Sequence, residues 1–330
     1  MAIACSEMAS WRLKKNLDPG AWIGKAESLV DEARRMPPHT PELTVAEIAY
    51  RRVSASHLEG RGMDPVPALQ EAVRFGQEGR THAPASLTVN FALLRAYTQL
   101  IEAMTARGQD CSRVFPQARE IAEDLLRRYP DVATYHGAFG MVLVEMASSE
   151  VQQGRDARAL LEEAIPQLER AIQLSPNNPS HLYALANAHL VRAEYALDEG
   201  GSPTPDLGAA RTLYQELMRQ SPGNPFYMLG AAMTDEYEAR HAVGQGREAN
   251  PAVERAQALL RGVEKAMPGY WMCRLVGARL ELIQSRQAGP SGPGFALHSG
   301  RALRTLEELA RQKPTDPGIR KALREARGAS

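Results

Sequence analysis

Glu238 and His241 stand three residues apart in a stretch with helical periodicity. On a helix this spacing presents a carboxylate and an imidazole to a bridged pair of iron ions. Such a centre needs a second Glu-x-x-His and two further carboxylates, and the sequence contains no second Glu-x-x-His, so the pair is expected on a solvated helix face. His181 and His189 lie two turns apart in one helical stretch without a third ligand placed beside them, which does not support four-ligand zinc chemistry. The other histidines, His39, His57, His82, His136 and His298, are scattered among turns and helices. Gly244-Gln245-Gly246 runs into Arg-Glu-Ala-Asn-Pro and follows no strand, so it reads as a hairpin turn instead of a nucleotide loop. Cys5, Cys111 and Cys273 are odd in number and lack CxxC spacing, and neither a disulfide framework nor a zinc site follows. No catalytic, metal-ligating or cofactor-binding residue is assigned. The expectation is a non-enzyme without a cofactor.

Bulk properties bound the partners. The 330 residues hold 39 basic and 39 acidic side chains, so no global field draws the chain to nucleic acid or to an anionic membrane. With 44% hydrophobic and 24% charged residues the chain has the apolar surface for a core. The excess of arginine, 33 against 6 lysines, accompanies much alanine and glycine and reads as a coding bias. The start, MAIACSEMASWRLKKN, places its basic residues after a short mixed segment, unlike a secretory signal. No stretch approaches the roughly 18 consecutive apolar residues of a membrane span. A cytoplasmic location is expected.

The elements emerge from the repeat. Proline recurs at Pro38, Pro84, Pro130, Pro176, Pro222, Pro268 and Pro314, every 46 residues. Proline pushes its predecessor out of the α region, so this column marks where the second helix of each unit stops. Gly62, Gly108, Gly154, Gly200, Gly246 and Gly292 keep the same spacing, with Asn16 one period earlier, and mark the turn between the two helices of a unit, where φ > 0 is often needed. Ala26, Ala72, Ala118, Ala164, Ala210, Ala256 and Ala302 form a third column, where two helix axes must approach closely. Ala33, Gly79, Leu125, Ala171, Leu217, Val263 and Leu309, seven residues further on, continue that buried face. Asp18-Pro19 and Asp64-Pro65 place an acceptor and a proline at the start of second helices, with Asp110 and Asp156 in the same column. Later the column drifts to Ser202, Glu248 and Gly294, so capping should weaken there. In the unit at 177 to 222, helices are expected over about 180 to 198 and 205 to 220, on the periodicity of Leu182, Ala186, Leu190, Ala193 and Leu197. No run alternates with period two, and no sheet is expected.

Ala164, Ala171 and Pro176, with a small first-helix residue at Gly140, Ala186, Ala232 and Ala278, resemble the tetratricopeptide repeat. The likeness covers nearly the whole chain. The family's unit of about 34 residues is lengthened here to 46, and its aromatic positions are poorly kept. The resemblance implies an all-α, right-handed superhelical solenoid of antiparallel helix pairs with a 46-residue TPR-like repeat, one solenoid over 1–330. Residues 1–38 form a truncated first unit with a poorly capped edge, 39–314 six full units, and 315–330 a C-terminal capping helix with Ile319, Ala322, Leu323 and Ala326 on one apolar stripe. Segments 58 to 73 and 154 to 179 also resemble the C-terminal repeat regions of bacterial serine/threonine protein kinases, although the sequence has no HRD, no DFG and no glycine-rich phosphate loop.

In the tetratricopeptide family the first helices line a concave face, reached by side chains about 7, 11 and 14 residues after each proline. Carried across, the 11 position gives Ala49, Arg95, Met141, Asn187, Met233 and Arg279, and the 14 position gives Arg52, Thr98, Val144, Leu190, Glu236 and Leu282. Apolar members at helical spacing are expected in the core. The polar members Arg52, Arg95, Asn187, Glu236 and Arg279 are therefore the expected partner contacts. The function this implies is a scaffold that binds a peptide or protein on its concave face, with neither nucleic acid nor membrane as partner. The alternative is a detached or truncated docking region of a bacterial serine/threonine kinase system, with a kinase as partner.

Overall fold

A computed structural model describes residues 1–14, 17–35 and 40–328. Asn16, Pro38 and His39 lie outside the described residues. Helices are found throughout and no strand occurs among the described residues: α1 Ala2–Lys14, α2 Gly20–Arg34, α3 Pro41–Gly60, α4 Val66–His82, α5 Leu87–Thr105, α6 Phe115–Arg128, α7 Ala133–Gln152, α8 Arg158–Leu174, α9 Pro179–Asp198, α10 Thr204–Gln220, α11 Pro225–Gly244, α12 Asn250–Ala266, α13 Trp271–Ala288, α14 Phe295–Gln312 and α15 Pro317–Gly328. The chain forms two compact units, residues 1–105 with 109–146, and residues 106–108 with 147–330.

Each column acts as elementary chemistry requires. The second helices α4, α6, α8, α10, α12 and α14 all end two residues before their column proline. The intervening residue is outside the helical region each time, as in Tyr129 (φ −142°, ψ 70°) and Ser221 (φ −139°, ψ 79°), because a pre-proline residue is disfavoured there. All seven column alanines are fully buried, so the close approach of neighbouring helices leaves no space for a longer side chain. Gly62, Gly108, Gly154, Gly200 and Gly246 have φ between 64° and 73°. The sixth position departs from the expectation. Gly292 is not left-handed; Gly289 (φ 71°) and Gly294 (φ 95°) take that role in the Gly-Pro-Ser-Gly-Pro-Gly turn. Two prolines there displace the φ > 0 positions to either side.

Asp18, Asp64, Asp110 and Asp156 each accept a backbone N–H two residues on, at 2.9 to 3.1 Å. In the later units Ser202 and Glu248 bond side chains instead, to Thr204 and Asn250, which fits the expected weakening.

A matched pair of substitutions tests the glycine column. A Cβ on Gly154 meets nothing within 4 Å, and neither does one on Gly208 inside α10. Gly154→Ala should nevertheless cost about 1 kcal/mol for its left-handed backbone, whereas Gly208→Ala should gain up to about 1 kcal/mol of helix propensity. Denaturant midpoints decide it, and equal shifts would exclude a conformational origin.

In the second unit one apolar cluster joins α9, α10 and α11 through Leu182, Ala186, Leu190, Ala210 and Tyr214, and the next joins α11, α12 and α13 around Ala232, Ala256, Val263 and Val276. A third cluster joins α13, α14 and α15 through Leu275, Leu282, Leu306, Ile319, Ala322 and Ala326. The first helices α11 and α13 thus each share one cluster with the pair before and one with the helix after, the arrangement that makes a repeat stack cohere. Of the apolar stripe on α15, Ile319, Ala322 and Ala326 are buried in this cluster and Leu323 is partly buried against it.

Candidate functional site

The five polar residues expected to contact a partner all stand on first helices, and the structure places them in different surroundings. In the first unit, Arg52 on α3 and Arg95 on α5 influence one another's charge across the face of the first helices. Gln99 ties the two helices together by donating to the Arg52 carbonyl (3.3 Å) and to Ser56 Oγ (2.8 Å). Burial lowers the Arg52 guanidinium to about 9, with Arg95 adding to the effect and Glu102 opposing it. Arg95 is lowered by burial too. Neither guanidinium forms an ion pair among the described residues, and Arg52 Nε is buried without a hydrogen bond. Arg95 instead stands 5.9 Å over the Phe91 ring.

Three further carboxyl groups, Glu59, Glu102 and Glu145, act on one another and on Arg52 here. Burial raises Glu102 to about 7, with Glu59 adding to the rise and Arg52 opposing it. Glu145 on α7 is raised further by burial and by Glu102. Arg95 and Glu102 are exposed to water at the surface while protein around them weakens their hydration.

In the second unit the corresponding first-helix residues are paired within the unit. Glu236 on α11 is 2% exposed, and its carboxylate lies 3.8 Å from the Arg279 guanidinium of α13. Burial alone would lower Arg279, and Glu236, Tyr237, Glu194 and Glu325 more than reverse this. Glu194 accepts from Tyr237 Oη at 2.9 Å, and Arg240 donates to Asp198 at 2.8 Å. Lys321 of α15 contacts Asp198 and lies 4.0 Å from Glu194, while Arg286 donates to Glu325 at 3.0 Å. Asn187 is engaged internally, accepting from the Tyr214 hydroxyl at 2.5 Å. Val144, Leu190 and Leu282 are core residues, each no more than 4% exposed.

A sequence signal for several of these additional residues exists. Glu102, Glu194, Arg240 and Arg286 all stand 18 residues after their column prolines, one helical turn beyond the 14 position and on the same face.

The metal candidates separate. Glu238 accepts from Arg211 and Arg255, which also bond Asp235 at 3.0 and 3.1 Å. It therefore belongs to a four-membered ion-pair cluster, tighter than a solvated face. His189 bonds Asp206 at 2.7 Å, and Arg192 holds the same carboxylate. His181 is buried, and burial lowers its pKa. Among the described residues no group of three or more His, Cys, Asp and Glu is placed to hold a metal ion. No helix among them is long and apolar enough to cross a membrane.

Residues 110–258 match the family described as plant-specific mitochondrial import receptor subunit TOM20, over less than half of the chain. Among solved structures, a thermophilic TPR protein of Thermus thermophilus is similar at 16% identity with a TM-score of 0.44, covering 71% of this chain and 98% of that one. No curated protein matches. The kinase-type resemblance draws no support from these matches.

Proposed function

We propose that the chain is a cytoplasmic, non-enzymatic interaction scaffold that binds a peptide or protein segment on the concave face of its first unit, with Arg52 and Arg95 as its charged contacts. The observation that carries this reading is a pair of poorly hydrated guanidiniums that, among the described residues, form no close ion pair with a carboxylate, Glu102 acting on Arg52 only from further off. Charges held in that state are costly to the free protein, and an incoming carboxylate relieves the cost. Glu236 and Arg279 already have each other, and Asn187 has Tyr214, so they are weaker contacts in the resting chain. The match to an import receptor family supports a receptor-type use of the repeats without singling out this face. The proline and alanine columns run through both units in one register, which supports reading residues 1–330 as one repeat array.

Selection from a displayed random-peptide library tests the proposal. Recovered peptides should carry an acidic side chain or a free C-terminal carboxylate. The double variant Arg52→Ala, Arg95→Ala should weaken their binding by about 30-fold or more, since a hydrogen bond to a charged group contributes about 1.5–3 kcal/mol. Circular dichroism must show unchanged helix content. Selected peptides that bind wild type and variant alike would move the site off this face.

A further inference from the structure

The polar side of α15 does more than solvate the end of a stack. Lys321 reaches Asp198 on α9, 123 residues earlier, and approaches Glu194, while Glu325 pairs with Arg286 of α13. Lys321 and Glu325 stand 7 and 11 residues after Pro314, the register at which first helices present side chains to the inner face. One helix therefore reaches from α13 to α9.

Its anchoring is modest. Ile319, Ala322 and Ala326 are its buried apolar side chains, and two of the three are alanines. A helix of 12 residues is marginal by itself in water. The bridging charges are accessible: Lys321 and Glu325 are each 31% exposed, and Asp198 is 25% exposed. Salt can reach and screen them.

We propose that α15 is an internal ligand of the second unit's inner face, a releasable helix whose Lys321 and Glu325 hold the places that a partner helix with a basic and an acidic residue four apart would take. Asp198 and Glu194 receive the base, and Arg286 receives the acid. Of the groups that face α15, Glu236 and Arg240 come from α11 and Arg279 from α13. The idea that such a partner exists rests on the reading of first-helix faces as binding surfaces. The release of α15 does not.

Hydrogen exchange on the full chain separates the two. In Lys321→Glu and in Glu325→Arg, amides of residues 317–328 should exchange at least about 10-fold faster than in wild type while α13 and α14 keep their protection. Adding Arg286→Glu to Glu325→Arg should restore slow exchange. A labelled synthetic peptide with the sequence of residues 315–328 should bind the Lys321→Glu chain saturably and wild type at least about 10-fold more weakly. Exchange unchanged by both single substitutions, loosening of α13 and α14 to the same degree, or a peptide that binds both chains alike or neither would overturn the proposal. None of these readouts involves the Arg52–Arg95 face, so failure here leaves the first-unit reading standing.

Discussion

Tyr214→Ala is expected to lower the stability of the second unit by about 3–5 kcal/mol, the range for removing a large aromatic side chain from a core. Tyr214 is fully buried between α9 and α11, with Tyr183 in edge contact at 6.3 Å and its hydroxyl bonded to Asn187. Truncation leaves both a cavity and an amide oxygen without its donor. The site also contains its own control. A Cβ on Gly230 would stand 2.2 Å from Tyr214 Cζ, so Gly230 is the space in α11 that the phenol ring fills. Gly230→Ala should therefore destabilise by about 1–3 kcal/mol through overpacking, although alanine is the better helix former. In the Tyr214→Ala background the same change should become neutral or favourable. Denaturant midpoints for the four chains of this double-mutant cycle measure the reversal. If Gly230→Ala costs the same in both backgrounds, the ring is not what requires glycine.

Stability is also expected to fall, not rise, as pH increases from 5 to 8, through Glu236. Burial raises this carboxyl to about 7 from an ordinary 4.5, against the opposing pull of Arg279 and Arg240. A carboxyl that holds its proton more tightly when folded contributes stability that is complete below its unfolded pKa and is lost as pH rises through the folded one. At about 1.4 kcal/mol per pH unit, the loss between pH 5 and 8 is on the order of 2–3 kcal/mol. Glu102 acts in the same direction. His181, lowered by burial, acts in the opposite direction and is common to both chains compared. Glu236→Gln should flatten the decline, and urea denaturation at four pH values reads the slope. Parallel slopes in wild type and variant would show that Glu236 is ionised in the folded chain throughout.

How much of this can be read from the sequence depends on the range of the force involved. The ends of second helices are legible to the residue because the proline restriction acts on its immediate neighbour. The alanine column is legible because close packing recurs identically in each unit. The sixth glycine misleads, since Pro290 and Pro293 redistribute the turn in a way that spacing does not reveal. The repeat register places the candidate positions on first helices, but it hides their pairing. Asn187 looks available in the sequence because its partner Tyr214 belongs to the following second helix. Lys321 and Asp198 cannot be joined from the period, because a period fixes neighbours and leaves the rotation from one pair to the next undetermined.

The helix packing described above is local, with partners adjacent or next but one along the chain, as in α1 with α3, α3 with α5 and α11 with α13. Contacts of short sequence separation require little loop closure and form quickly, so successive pairs can assemble in the order in which a ribosome delivers them. The Lys321–Asp198 bond obeys a different clock. Asp198 is made and packed long before its partner emerges, and the side of α9 that carries it passes through synthesis without Lys321. A nascent chain therefore has an interval in which a companion helix could reach that face without having to compete with α15.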